Sequence, residues 1–220
     1  MHCAQALRFT LALTCAIALG AFTAAPSAAA AEPDRTMSTL LFFGDSLTAG
    51  YGLDNPAAES YPALIQDRIN EEKRPWRAIN AGLSGETSAG GLRRVDWVLR
   101  QPVDVFFLAL GANDGLRGID PAATERNLDQ ILTRVRARNP QARVVVAGME
   151  MPPSMGRAYT ERYRAVFAAV ASKHGAVLLP FLLEGVAGRS DLNQADAVHP
   201  TAAGHRVMAE TVWKALRPLL

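Results

Sequence analysis

Five short apolar runs, separated by stretches of helical periodicity, constrain this chain more than any other feature. The runs occupy residues 40–43, 78–80, 105–110, 144–147 and 177–179, and several are β-branched or aromatic. Each has strand length, and an unbroken apolar run of that length suits a strand covered on both faces. Between the runs lie amphipathic segments. Ser60 reads as an N-cap opening a helix over 61–70, and 87–100 reads as the next helix. Asp120-Pro121 places a capping acid before a proline at the first helical position. Leu128, Ile131, Leu132 and Val135 follow at i, i+3, i+4, i+7. Tyr159, Tyr163, Val166, Phe167 and Val170 repeat the pattern, and a last helix covers 201–216.

Strands alternating with helices predict an α/β protein, because parallel strands need crossover connections and helices supply them. The expected architecture is a three-layer α/β/α sandwich around a five-stranded parallel sheet in flavodoxin-like order. In such sheets the ligand sits outside the carboxyl ends of the strands, so the segments just after each run are where chemistry belongs.

The first 31 residues read differently from the rest. Residues 1–8 carry one positive charge, 9–25 are almost uninterruptedly apolar, and Pro26-Ser27-Ala28-Ala29-Ala30-Ala31 offers the small residues a signal peptidase accepts. A transmembrane anchor is the competing reading, but the run is Ala-rich and only modestly hydrophobic. The expectation is a cleaved signal over 1–31, a single domain over 32–220, and a secreted, periplasmic protein without a stable membrane anchor. Cys3 and Cys15 both lie in that signal, which leaves the mature chain without a disulfide or a thiolate metal site. It also leaves 22 basic against 21 acidic residues. The Arg134, Arg136, Arg138 cluster reads as a solvated helix face, and nothing in the charge pattern suggests a nucleic-acid partner.

Four segments fall on the expected ligand rim. Gly44-Asp45-Ser46 follows the first run, Gly82-Leu83-Ser84-Gly85 the second, Asn113-Asp114-Gly115 the third, and Asp196-Ala197-Val198-His199 precedes the last helix. Together they form an acyl-transfer set. A serine hydroxyl is a weak nucleophile that needs a base, and His199 is the natural candidate. The imidazole needs its other nitrogen held by a carboxylate, and Asp196 lies three residues away. A tetrahedral intermediate needs donors for its oxyanion, which a glycine N–H, an asparagine amide and the Ser46 N–H can supply.

Each piece alone has a plainer reading. Gly44-Asp45-Ser46 could be a turn or cap, Gly82 and Gly85 turn residues, Asn113-Asp114-Gly115 a tight turn and Asp196 a surface acid. His205 competes with His199 but sits within the last helix with no acid three residues before it, and His174 sits at a helix end. It is the joint occurrence after successive strands that favours chemistry. The G-x-S-x-G elbow of α/β-hydrolases is absent, since Gly82-Leu83-Ser84-Gly85-Glu86 lacks the final glycine. No His/Asp/Glu cluster has zinc-ligand spacing.

With these residues in order, the sequence resembles the SGNH hydrolase (GDSL-lipase) superfamily, whose four blocks are matched by Ser46, Gly85, Asn113 and His199, with Asp196 in the Asp-x-x-His position. It is most similar to the bacterial secreted arylesterase, thioesterase I and lysophospholipase branch, through residues 44–51, 113–118 and Leu179-Pro180-Phe181, and the likeness runs over 39–219. The resemblance implies that Ser46 attacks the carbonyl, His199 relays the proton and Asp196 orients His199. It implies an oxyanion hole made by Ser46 N–H, Gly85 N–H and the Asn113 amide, Gly85 being preferred to Gly82 by its distance from Asn80 and Thr87. The loop over 115–120 is implied to line the acyl pocket and to move on binding. One position departs: Glu150 stands where thioesterase members usually carry Arg, which argues against highly anionic substrates such as acyl-CoA. Met149 and Met151 beside it read either as a pliable pocket wall or as core.

The resulting expectation is a monomeric serine esterase for aryl and alkyl esters, small-molecule or lipid, without metal or organic cofactor. A thioesterase or lysophospholipase using the same residues is the rival within enzymes. A non-catalytic flavodoxin-like ligand-binding protein is the rival from another class.

Overall fold

The computed structural model describes residues 37–220. The expected signal segment and both cysteines lie outside the described residues. Five parallel strands, β1 (Ser38–Gly44), β2 (Trp76–Gly82), β3 (Val105–Ala109), β4 (Arg143–Ala147) and β5 (Val177–Leu179), form one sheet in the order β2-β1-β3-β4-β5. That is the flavodoxin-like order, and it reverses direction between β1 and β3.

β1 and β3 are central and buried along their length, as their unbroken apolar sequence requires. Phe42 and Phe107 stand opposite each other in register and point to one face, with ring centroids 5.2 Å apart. Tyr61 packs edge-on against Phe42 from that side. Phe43 and Phe106 point to the other face, 5.6 Å apart. The period of two thus splits one aromatic cluster between two helical layers.

The helices are α1 (Ser46–Ala49), α2 (Pro56–Glu59), α3 (Tyr61–Glu71), α4 (Ser88–Val98), α5 (Ala112–Leu116), α6 (Pro121–Arg138), α7 (Arg157–Lys173) and α8 (Ala202–Leu216). α3 packs with α8, while α4, α6 and α7 pack side by side, giving the two outer layers. Side chains of Thr87, Asp120 and Thr201 cap the amides of Gly90, Ala122 and Gly204 at the starts of α4, α6 and α8. Among the described residues no helix is long and apolar enough to cross a membrane.

Local detail refines the sequence reading at three points. Asn113-Asp114-Gly115 is a short helix, α5, rather than a tight turn. Ser60 occupies the N-cap position of α3, but its hydroxyl makes no capping bond. The arginine cluster on α6 is only partly a solvated face: Arg134 and Arg138 pair with the exposed Asp96, but Arg134 also donates to Leu92 O, and Arg136 to Ala142 O and His174 O. Those two guanidinium groups tie α6 to its neighbours through a carbonyl within α4, a loop carbonyl and the C-cap carbonyl of α7, and Arg138 is exposed.

Candidate active site

The switch point of the sheet lies between the carboxyl ends of β1 and β3, and both deliver residues there. At the end of β1 the chain turns sharply into α1. A Cβ on Gly44 would lie 2.0 Å from Thr48 Oγ1 and 2.8 Å from Ala109 O, so only glycine permits this turn against β3. Asp45 then caps α1 by accepting from Leu47 N at 3.1 Å, and Ser46 opens the helix with 8% of its surface exposed.

His199 reaches this corner from the loop between β5 and α8. Asp196 Oδ1 accepts from the backbone amides of Val198 at 2.9 Å and His199 at 3.0 Å. Its Oδ2 lies 2.7 Å from His199 Nδ1, and His199 Nε2 lies 2.9 Å from Ser46 Oγ. An ionised carboxylate can only accept, so Nδ1 carries the ring proton and Nε2 offers its lone pair to the serine hydroxyl. The His199 amide, then its ring and the Val198 amide, hold the Asp196 carboxyl down at about 2. Ala197 pays for this tight turn with a left-handed backbone, φ 57°.

His205 is placed elsewhere. It is fully buried in α8, where its Nδ1 accepts from Tyr61 N at 3.2 Å. Burial, and secondarily the charge of His199, push it down to about 4. His174 caps the end of α7 and bonds Asp129 at 2.7 Å.

The two candidate glycines separate cleanly. Gly82 donates its amide to Asn80 Oδ1 at 2.9 Å, and a Cβ there would lie 2.3 Å from Ala49 N. It is a packing glycine between β2 and α1. Gly85 sits exposed at φ 77° with open space around its Cβ position, and among the described residues its amide meets no acceptor. Asn113 anchors one amide hydrogen on Glu86 O at 3.1 Å.

A cavity of about 560 Å³ opens beside Ser46, Asn113 and His199. Leu116, Met149, Met151 and Phe181 line it, so the two methionines serve both as wall and as core. Glu150 stands at the edge, exposed and 3.3 Å from Arg164, and belongs also to a smaller neighbouring cavity of about 320 Å³. Among the described residues no group of three or more His, Cys, Asp or Glu side chains could hold a metal ion.

Sequence reasoning passed over four features. Asp45 is wholly buried with Oδ2 unpartnered, and burial, reinforced by the negative neighbours Asp114 and Glu86, pushes its carboxyl up to about 7. Glu86 is buried and paired with Arg94, whose guanidinium also lies 4.4 Å from the Phe43 ring. Tyr51 stacks obliquely on His199, with centroids 4.7 Å apart. Gln194 donates to Tyr51 O and Pro200 O, tying the histidine loop to the nucleophile loop. Tyr51 and Gln194 act across a long sequence separation, and the burial of Asp45 and Glu86 depends on segments that close over them from elsewhere in the chain.

An open parallel sheet with a serine, an imidazole and a carboxylate linked in sequence on its carboxyl rim, beside an apolar cavity, defines the acyl-hydrolase class. Residues 42–207 match the GDSL-like Lipase/Acylhydrolase family. The chain is 41% identical over 183 residues to the esterase TesA of Pseudomonas aeruginosa, covering 83% of this chain and 89% of that protein. It is 38% identical over 183 residues to the thioesterase 1/protease 1/lysophospholipase L1 of Escherichia coli K12, covering 83% of this chain and 85% of that one. A crystal structure of TesA superposes with a TM-score of 0.79 at 41% identity, over 83% of this chain and all of that one. The chain belongs to the GDSL-like lipase/acylhydrolase family and has the SGNH hydrolase fold.

Proposed function

We propose that this enzyme, an SGNH-type ester hydrolase, works through Ser46, His199 and Asp196 on neutral carboxylic esters. Ser46 Oγ attacks the ester carbonyl as its proton passes to His199 Nε2. The Ser46 and Gly85 amides and the Asn113 carboxamide hold the oxyanion. Collapse of the intermediate releases the alcohol, which takes the proton from His199. Water, deprotonated by the same imidazole, then attacks the acyl-serine; the bond from the acyl carbon to Ser46 Oγ breaks, Oγ takes the proton back from His199, and the acid departs. The observation that carries this reading is the unbroken hydrogen-bond chain Asp196–His199–Ser46 at 2.7 and 2.9 Å.

The apolar cavity suits an acyl group. Glu150 at its edge disfavours a strongly anionic leaving group, although Arg164 offsets part of its charge. Thioester and lysophospholipid hydrolysis remains the second reading, supported by the name of the Escherichia coli relative. Residues 1–31 act in this reading as an export signal, and the enzyme works in the periplasm.

A panel of p-nitrophenyl esters from acetyl to palmitoyl, acyl-CoAs and lysophospholipids tests these points on one preparation. Neutral short or medium esters lead the panel, and Ser46→Ala abolishes turnover of all of them. Glu150→Arg narrows the gap to acyl-CoA by about two- to fivefold, the size of one exposed charge contact. Turnover surviving in Ser46→Ala removes the nucleophile assignment; acyl-CoA as best substrate of the unmodified enzyme removes the role of Glu150.

A further inference from the structure

The Asn113 amide is carried by α5, a helix of five residues, too short to hold itself in place. What holds it is its neighbour in sequence. Asp114 is fully buried, and its two oxygens grip the first residue of α4: Oδ2 accepts from Ser88 N at 2.7 Å and Oδ1 from Ser88 Oγ at 2.5 Å. Thr124 Oγ1 adds a donor at 3.4 Å, and Asn127 Nδ2 donates to Ser88 Oγ at 2.9 Å, which fixes the direction of the hydroxyl. The same stretch is met at two further points: Asn113 Nδ2 donates to Glu86 O, and Arg117 Nη2 to Gly85 O at 3.2 Å. α5 and its C-cap Arg117 therefore hold the segment that runs from the loop after β2 into the start of α4, at residues 85, 86 and 88, although the two segments are distant in sequence. From the far side, Tyr163 OH donates to Gly111 O and Tyr159 OH to Gly115 O.

We infer that Asp114, acting through Ser88, is a positioning residue that sets the distance between the Asn113 carboxamide and the Gly85 amide. The inference rests on reading those two groups as oxyanion donors. A buried carboxylate costs several kcal/mol unless its oxygens are filled with donors. Here the donors are an amide in the first turn of α4, where the helix dipole favours negative charge, and a hydroxyl on the same residue. A two-pronged, charge-assisted grip fixes orientation as well as distance, which a single neutral bond does not. Preorganised donors stabilise the transition state only when held at their final positions before charge develops. A shift of about 1 Å in such groups can cost on the order of 100-fold in rate.

Asp114→Asn keeps the shape and the acceptor for Ser88 N but removes the charge and turns the second prong into a donor, so Ser88 Oγ must give up its own donation and accept instead. Measured per titrated active site on a good ester, kcat falls by about 10- to 100-fold while KM stays within about twofold. In the Asn113→Ala background the same change lowers kcat by less than about threefold, because the hole it serves is already broken. Ser88→Ala removes the hydroxyl prong alone, lowers kcat by about three- to tenfold, and stands in if Asp114→Asn does not fold. A purely structural Asp114 would lower thermal stability while leaving kcat per active site unchanged, or would give losses that simply add to those of Asn113→Ala. Either result overturns the positioning role. If Asn113→Ala itself retains wild-type kcat, the oxyanion reading falls and the positioning role with it; if Asn113→Ala is impaired and Asp114→Asn is not, only the positioning role falls.

Discussion

Two carboxylates flank the same reacting centre and are treated oppositely by the fold. Asp45, at the nucleophile corner, is wholly buried beneath Ser46 with one oxygen unpartnered, and its carboxyl is pushed up to about 7. Asp196, in the histidine loop, has 43% of its side chain exposed, accepts three N–H groups, and is held down at about 2. The nucleophile corner is held by packing: Gly44 against Thr48 and Ala109, Gly82 against Ala49, with the aromatic cluster beneath. The histidine loop is held by hydrogen bonds, and spends a strained residue at Ala197 to make them. One region gains precision by excluding water, the other by saturating a single acid with donors. The difference fits the proposed chemical role of Asp196, which calls for an ionised carboxylate, and a structural role for Asp45, which can remain neutral.

The largest effect that can break this comparison lies at Asp196. In Asp196→Asn the side-chain oxygen remains on the Val198 and His199 amides, so the new NH₂ faces Nδ1. The ring must then carry its proton on Nε2, the tautomer that cannot receive one from Ser46. kcat falls by about 10³- to 10⁴-fold at neutral pH, the size of a tautomer reversal in such triads, while KM moves little. An Asp196→Asn enzyme with near wild-type kcat would make the acid a loop staple only.

The smaller effect lies at Asp45 and appears in stability rather than rate. Its folded carboxyl is raised above the ordinary value of 3.8, so the native state binds more protons than the unfolded chain between pH 3.8 and about 7. Native stability from this group is therefore complete below that window and is lost as pH rises through it, by at most about 1.4 kcal/mol per pH unit. For Asp196 the sign is reversed: its contribution is present above 3.8 and lost as pH falls towards about 2. Urea unfolding of Asp45→Asn between pH 4.5 and 7.5 (limits chosen approximately to span the window) gives a shallower dependence on pH than the wild type, so the two stability curves converge or cross as pH rises. Parallel curves would mean that Asp45 is ionised throughout.

The same contrast explains what could be read from sequence. The strand runs were legible in most of the sheet: β1, β3 and β4 follow the apolar runs to within two residues at each end, and the short edge strand β5 coincides with its run. β2 extends from Trp76 to Gly82, beyond the run at 78–80, because an edge strand with Arg77 and Asn80 exposes part of its surface and breaks the pattern. α1, α2 and α5 have five residues or fewer, too few for a helical period to register. In the site, Ser46, Asn113, Asp196 and His199 were nameable because each follows or precedes a readable element. Their supports were not. Asp45 reads as an ordinary helix cap, and nothing near Asp114 in sequence announces that Ser88 will fill both its oxygens. Burial of an acid is decided by which distant segment closes over it, and periodicity carries no record of that.

The central claim is that Ser46 is a nucleophile activated by His199, and covalent labelling tests it most directly. The enzyme is treated with a small fluorophosphonate, digested, and the modified peptide identified by mass spectrometry, with Ser46→Ala and His199→Ala treated alongside. The account predicts one stoichiometric adduct on Ser46, none in Ser46→Ala, and labelling in His199→Ala slowed by at least about 100-fold, the lower bound for a positioned general base. An adduct on another residue, or labelling of His199→Ala at the wild-type rate, would contradict it.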